Sequence, residues 1–246
     1  MDYVDFDVEG LARYLRLTPA QVTKMAERGH LPGRRIGGQW RFSPADINLW
    51  WEEKIGESKD GAELAQVEET LLHAPGPARS ETEGDAAPSI LKLLPREGIS
   101  VPLIARTRNS VIEAMVELAT ATGLLWDPDK MADAVRSRES LHPTALDNGV
   151  ALLHPRRPLP SILAEPFIAL GITSQGIPFG HSRGVLTDIF FLICSTDDRT
   201  HLQVLARLSR LLNEPGMVDD LRSAADMYEV LDLLRDAETR LESVTE

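Results

Sequence analysis

The sequence predicts an α/β protein built from two domains. From Ser89 onwards, short apolar runs typical of strands alternate with longer segments whose apolar residues recur every three or four positions, as in amphipathic helices. Residues 1–56 carry a separate helical pattern with one basic hairpin. Residues 57–88 are acidic at first and then rich in Pro, Gly, Ser and Ala, a composition typical of a flexible linker. We therefore expect domains at 1–56 and 89–246, joined by an acidic segment and tether at 57–88.

Charge restricts where nucleic acid could bind. The 246-residue chain has a formal net charge of −12, which argues against indiscriminate binding to DNA or to anionic membranes. Residues 13–41 are the exception, with seven basic residues against Glu27 alone.

A single cysteine, Cys194, excludes an internal disulfide, and its apolar surroundings predict a buried thiol in a reducing cytoplasm. No run approaches the apolar length that a membrane span needs.

The N-terminal domain is predicted to contain helices with well-marked beginnings. The apolar stripe of the first helix comprises Val8, Leu11, Ala12 and Leu15. Thr18, Pro19 and Gln21 supply an N-cap hydroxyl, a first-turn proline and a capping-box partner for a second helix, which Gly29 can end. The segment 43–46 repeats the same start for a third helix, which carries two tryptophans.

A hairpin is predicted between the second and third helices, around a Gly-Gly pair. A two-residue loop would pair Ile36 with Gln39 and place Arg35 on the face of Trp40. A three-residue loop would instead pair Ile36 with Trp40 and gather the apolar side chains on one face. The pattern favours the three-residue loop, with Arg35 and Arg41 facing outwards.

This order of helices and hairpin is typical of a small winged DNA-binding module. Residues 6–55 closely resemble the excisionase-type, MerR-like helix-turn-helix domain, in segments 11–15, 29–32, 34–42 and 43–47. The resemblance implies base contacts from the second helix and phosphate or minor-groove contacts from the wing. The residues implied are Gln21, Thr23, Lys24 and Arg28 on the helix and Arg34, Arg35 and Arg41 on the wing. Dimerisation would multiply the phosphate contacts, and docking to a protein remains the alternative use of the module.

The C-terminal domain is predicted to contain helices at 109–122, 128–138, 201–212 and 225–241, and strands at 150–153, 166–172 and 188–194. His154 directly follows the first of these strands. A neutral imidazole is a competent nucleophile near pH 7, because the reference pKa of histidine is about 6.5. A phosphorylated imidazole needs preorganised donors, for which a guanidinium and a second imidazole are suited. Arg138 and His201 are our candidates.

Both histidine segments resemble one family, the enzyme IIA domains of the mannitol/fructose/nitrogen class of the bacterial phosphotransferase system. The matching positions of the first segment are Arg138, Glu139, Thr144, Gly149, Ala151 and His154. Residues 200–212 resemble the segment that carries the family's second active-site histidine, His201 here. Over residues 89–242 the resemblance implies a mixed sheet flanked by helices. Leu153 and Pro155 depart from the family, which usually has Pro before the histidine and a small residue after it; Pro155 also removes an N–H.

Together these features predict a cytoplasmic DNA-binding transcriptional regulator that accepts a phosphoryl group on His154 from an HPr-type phosphocarrier. The alternative is a phosphocarrier or partner-binding paralogue, with an active or a dead site, whose helix-turn-helix serves for docking. No cofactor is expected. No CxxC, HxxxH or HExxH spacing supports a metal cluster of His142, His154 and His201.

Overall fold

The computed structural model describes residues 5–15, 17–57, 88–180 and 184–243. The chain divides into two compact units, residues 1–87 and 88–246. Our expectations for the acidic segment and tether fall almost wholly on residues 58–87 and so lie outside the described residues. In the described parts of the chain, no helix combines the length and the apolar composition that crossing a bilayer requires.

The first unit combines short helices with a two-stranded hairpin. Its elements are α1 (Val8–Leu15), α2 (Pro19–Glu27), β1 (Arg34–Ile36), β2 (Gln39–Arg41) and α3 (Pro44–Glu57). The predicted capping box begins α2: Thr18 Oγ1 accepts from Gln21 N at 3.3 Å, and Gln21 Oε1 accepts from Thr18 N at 2.8 Å. The buried core includes Leu11, Leu15, Val22, Leu31, Phe42, Ile47 and Trp51.

The hairpin has a two-residue loop, so the predicted three-residue loop is wrong. The register pairs Arg34 with Arg41, Arg35 with Trp40 and Ile36 with Gln39. Gly37 and Gly38 have φ values of 59° and 81°, and a tight turn that matches the strand twist requires positive φ at both central residues. The apolar face that favoured the longer loop does not form, as the 54% exposure of Ile36 shows. Residues directly opposite one another share a face, so Arg35 and Arg41 lie on opposite faces.

The second unit is a mixed sheet flanked by helices, as the resemblance implied. Its described strands are β3 (Ile99–Ser100), β4 (Val150–Leu153), β5 (Phe167–Pro178) and β6 (Leu186–Cys194). They lie in the order β3-β5-β6-β4, with β5 and β6 antiparallel and each edge strand parallel to its neighbour. Because β4 and β6 are parallel, their carboxyl ends meet at the same edge of the sheet.

Helices cover this sheet and close its core. They are α4 (Ile90–Leu93), α5 (Arg108–Ala121), α6 (Pro128–Leu141), α7 (Asp198–Leu212), α8 (Met217–Ser223) and α9 (Met227–Ser243). Apolar residues of α5 and α6, such as Met115 and Val135, pack with Phe190 of β6 in one buried cluster. Cys194 belongs to the same cluster, as predicted, and burial raises the pKa of its thiol, so the thiol stays neutral.

Several element boundaries differ from the prediction. Three elements, β3, α4 and α8, were not predicted from the sequence. Strand β5 continues six residues past the predicted end at 172, because Ile177 and Pro178 still pair with β6 beyond a bulge. Helix α6 continues to Leu141, so Arg138 lies within the helix and does not end it. Helix α7 begins at Asp198, which places His201 in its first turn instead of at its start.

Candidate functional site

His154 lies where β4 leaves the sheet. The run 150–153 is buried at every position, and this fixes the end of the strand in the interior of the unit. The Nδ1 atom of His154 lies 2.7 Å from the carbonyl oxygen of Leu152. A carbonyl oxygen can only accept, so in the neutral ring Nδ1 carries the proton and Nε2 carries the lone pair. Pro155, which follows, is buried and has no N–H to offer.

His201 lies beside His154, on the helix that follows the neighbouring strand β6. The chain leaves β6, and Asp197 caps α7 by accepting from Thr200 N at 2.8 Å, so that His201 falls in the first helical turn. The rings of His154 and His201 have centroids 4.9 Å apart and are tilted by 58°. Ser195 Oγ lies 3.4 Å from Nδ1 of His201. Two of the three predicted residues of the phosphoryl site are thus in direct proximity.

Arg138 is buried near the end of α6, with 5% of its surface exposed. Its Nη1 atom donates to the carbonyl oxygen of His142 at 2.6 Å. His142 itself caps the helix and is exposed. The guanidinium is therefore held by the turn that follows its own helix, on the chain segment that leads into β4.

A buried carboxylate lies beside Arg138 in the sequence. Glu139 is 1% exposed, and it accepts hydrogen bonds from the hydroxyl and the amide of Thr144, the latter at 3.2 Å. Arg108, at the start of α5, places Nη2 3.1 Å from Glu139 Oε2 and also donates to the backbone carbonyl of Glu139. Arg138 was a predicted site residue, whereas Glu139 was identified only as part of the motif and Arg108 was missed, because nothing near Arg108 in the sequence marks it as a partner of a distant helix.

The turn before β4 requires glycine. Gly149 has a φ of +86°, and a Cβ atom there would lie 3.2 Å from the carbonyl oxygen of Leu186 and 2.9 Å from Nη2 of Arg222. Arg222 donates hydrogen bonds to both carboxylate oxygens of Asp188, at 2.6 and 3.1 Å, and to the carbonyl oxygen of Asn148 at 3.1 Å. The hydrogen bond with Asp188 raises the pKa of Arg222. Because Gly149 has no Cβ atom, the backbone can run close to the ion pair of Arg222 and Asp188.

The residues predicted to contact bases lie on α2 in the other unit. Gln21, Lys24 and Arg28 are exposed and Thr23 is half-buried. Lys24 and Arg28 are four residues apart and so lie on one face at the end of the helix. The Oε1 atom of Gln21 accepts two hydrogen bonds from Thr18, at 2.8 and 2.9 Å, so a base contact by Gln21 would use its amide nitrogen.

The three wing arginines all have polar partners nearby. The partners are Asp5 for Arg34 at 2.9 Å, Glu27 for Arg35 at 3.6 Å and Gln39 for Arg41 at 3.3 Å. Arg35 also lies over the ring of Trp40, 5.1 Å from its centroid. The contacts of Arg34 and Arg35 are ion pairs, and such pairs near the surface are worth at most about 1 kcal/mol, so they hold these two guanidiniums only weakly.

Comparison with known proteins agrees with this geometry. Residues 92–237, more than half of the chain, match the family described as phosphoenolpyruvate-dependent sugar phosphotransferase system, EIIA 2. Residues 6–55 match a helix-turn-helix domain.

Similar proteins place this domain in different contexts. A fructose-specific EIIABC component of Bacillus subtilis is 27% identical over 147 residues, which are 59% of this chain and only 23% of that protein. A nitrogen regulatory protein of Bradyrhizobium diazoefficiens is 29% identical over 130 residues, 51% of this chain and 83% of that protein. The crystal structure of IIA mannitol from Escherichia coli shares the fold, with a TM-score of 0.50 at 23% identity over 56% of this chain and 96% of that one. The chain therefore belongs to the EIIA 2 family of the phosphotransferase system and carries a helix-turn-helix domain at its N-terminal end.

Proposed function

We propose that this chain is a cytoplasmic DNA-binding transcriptional regulator whose EIIA domain accepts a phosphoryl group on His154 from an HPr-type phosphocarrier. The observation that carries the proposal is the close pair of His154 and His201 at the carboxyl ends of two parallel strands. The Leu152 carbonyl supports it further, because the bond from Nδ1 leaves the lone pair on Nε2 of His154.

The transfer step needs no external base. The Nε2 lone pair of His154 attacks the phosphorus atom of the carrier's phosphohistidine, and the carrier's N–P bond breaks as the new N–P bond forms. Nδ1 keeps its proton and its bond to Leu152 throughout. The charge on the phosphoryl oxygens would be stabilised by an N–H of His201, by the guanidinium of Arg138 and by the positive end of α7.

Incubation with phosphoenolpyruvate, enzyme I and HPr-type carriers tests this step. We expect an acid-labile mass increase of one phosphoryl group, with the label on Nε2 by NMR. The label should vanish in His154→Gln and persist in His142→Gln, a matched change at an exposed histidine. Absence of label with several carriers, or undiminished label in His154→Gln, would contradict the proposal.

DNA binding is supported by the exposed cations of α2 and of the wing within a segment of net charge +6, counted as seven basic residues against Glu27 over residues 13–41. A homodimer would double the phosphate contacts and read a two-fold site. Selection from random DNA followed by titration at several salt concentrations tests this part. Affinity should fall steeply as salt rises, and a salt-insensitive complex would contradict it.

One observation favours the alternative of a partner-binding EIIA paralogue that uses the helix-turn-helix for docking. Pro155 removes the backbone N–H next to His154, at a position where a phosphoryl cradle would use donors. Under this alternative the first unit binds a protein instead of DNA, and the phosphorylation assay gives no label if the site is dead and gives label if the paralogue is an active phosphocarrier.

A further inference from the structure

We infer that Arg108 is a positioning residue for the phosphoryl site, acting on His154 and Arg138 through the buried carboxylate of Glu139. Its effect on transfer rests on the proposed function, whereas its effect on the His154 ring can be measured in the unphosphorylated protein. The inference depends on a chain of hydrogen bonds that crosses from α5 to α6 and then to the end of β4.

The first link joins Arg108 to Glu139. Nη2 of Arg108 donates to Oε2 at 3.1 Å and to the backbone carbonyl of the same residue. The side chain of Arg108 is 33% exposed, whereas that of Glu139 is 1% exposed. An ionised carboxylate that is so deeply buried needs a countercharge and several donors, and Arg108 supplies both.

The second link runs from Glu139 to the strand that ends at His154. The carboxylate accepts from the amide and the hydroxyl of Thr144, and the carbonyl of Thr144 accepts from Leu152 N at 3.4 Å. A second hydrogen bond joins the same two segments, from Leu146 N to Val150 O at 2.8 Å. The carboxylate thus fixes the segment that runs alongside β4.

The third link ends at the two proposed catalytic residues. The carbonyl of Leu152, whose amide is bound by Thr144, accepts from Nδ1 of His154 at 2.7 Å. On the other side, Arg138 precedes Glu139 and binds the carbonyl of His142, two residues before Thr144. The direction of each of these hydrogen bonds follows from the groups involved, because guanidinium and amide N–H groups only donate and carbonyl oxygens only accept. The Glu139 carboxylate therefore holds Thr144, which binds the end of β4 and lies two residues from the carbonyl that Arg138 binds, and Arg108 holds that carboxylate.

The test compares full-length variants. Arg108→Gln removes the charge and Arg108→Lys keeps it without the planar fork. Arg136→Gln is the matched control, because Arg136 lies on α6 but pairs at the surface with Glu113 and Asp133, each at 3.1 Å. Thermal melts confirm that each variant folds, and Arg108→Lys replaces Arg108→Gln if the latter does not.

The first readout is the imidazole ¹⁵N spectrum of His154 in the unphosphorylated chain. We expect one tautomer with the proton on Nδ1 in the wild type and in Arg136→Gln, and a mixture of tautomers in Arg108→Gln. An unchanged spectrum in Arg108→Gln, or the same mixture in Arg136→Gln, would overturn the inference. This readout holds even if no carrier phosphorylates the wild type, which would refute the proposed function alone.

The second readout is single-turnover transfer from an HPr-type carrier. Arg108→Gln should lower the rate constant about 10- to 100-fold, with KM for the carrier within about twofold, because misplacement of reacting groups affects the chemical step. Glu139→Gln should have a similar effect, and the double variant should be no slower than the slower single variant, since both act on one path. Multiplicative losses, or a loss confined to KM, would overturn it.

Discussion

At the scale of single residues, the two histidines differ in how their rings are held. His154 donates to a carbonyl, so its tautomer is set by a group that only accepts. His201 faces the hydroxyl of Ser195, which can donate or accept and follows β6 directly. The ring that would receive the phosphoryl group is thus fixed by the backbone, and its neighbour by a side chain that can be replaced.

Ser195→Ala should slow phosphoryl transfer about 2- to 10-fold without removing the acceptor, since a single hydrogen bond contributes about 0.5–1.5 kcal/mol. Single-turnover labelling measures this directly. Ser223→Ala, an exposed serine on α8, is the control and should transfer at the wild-type rate. Equal rates for both variants would show that the Ser195 contact does not orient His201.

The wing arginines also make a prediction at this scale. Arg34 and Arg41 pair across the hairpin and share one face, while Arg35 lies on the other with Trp40. If the first face meets DNA, Arg34→Ala and Arg41→Ala should each flatten the log-log salt dependence of binding by about one unit, and Arg35→Ala should leave it steep. The opposite result would assign the contact to the Trp40 face, and three unchanged slopes would contradict phosphate contact by the wing.

At the scale of elements, the site depends on how β4 enters the sheet. The tight passage at Gly149 brings the chain past Arg222 and Asp188 and into register with β6. At its other end β4 leads into His154, whose ring lies beside that of His201 in the first turn of α7. The glycine of the motif therefore acts through the backbone, at the end of the strand opposite His154.

Gly149→Ala should destabilise the chain more than Gly123→Ala. Both glycines have positive φ, so an alanine at either costs about 1–2 kcal/mol in backbone strain. Only at Gly149 would the new Cβ also crowd neighbouring atoms, whereas at Gly123 nothing lies within 4 Å. Thermal melts should show a melting temperature lower for Gly149→Ala than for Gly123→Ala by several degrees, and equal shifts would refute the crowding.

At the scale of the whole molecule, the question is how a phosphoryl group on one unit could affect DNA binding by the other. Phosphorylation adds about −1.5 to −2 charges, and at physiological salt exposed charges are screened over about 8 Å. If the phosphoryl group lies farther than this from the bound DNA, a signal between the units requires a change in domain docking or in oligomeric state.

Phosphorylation should change operator affinity about 5- to 150-fold, which corresponds to coupling of about 1–3 kcal/mol. Sedimentation or small-angle scattering should show a change in docking or dimerisation at the same time. The coupling should disappear when the chain is cut within residues 73–88 and the halves are mixed at low concentration, because the effective concentration falls. Equal affinity of the two forms would favour the phosphocarrier alternative.

Features controlled by residues close together in the chain could be predicted from the sequence. The capping box at Thr18 and Gln21 and the apolar run of β4 were predicted because each depends on local spacing, and the two histidine segments were predicted from their resemblance to a known family. The hairpin register and the contact of Arg108 with Glu139 became known only from the three-dimensional structure; in the observed register Ile36 is exposed and the expected apolar face does not form. Such contacts join segments far apart in the chain, and local periodicity carries no information about which distant side chain will neutralise a buried charge.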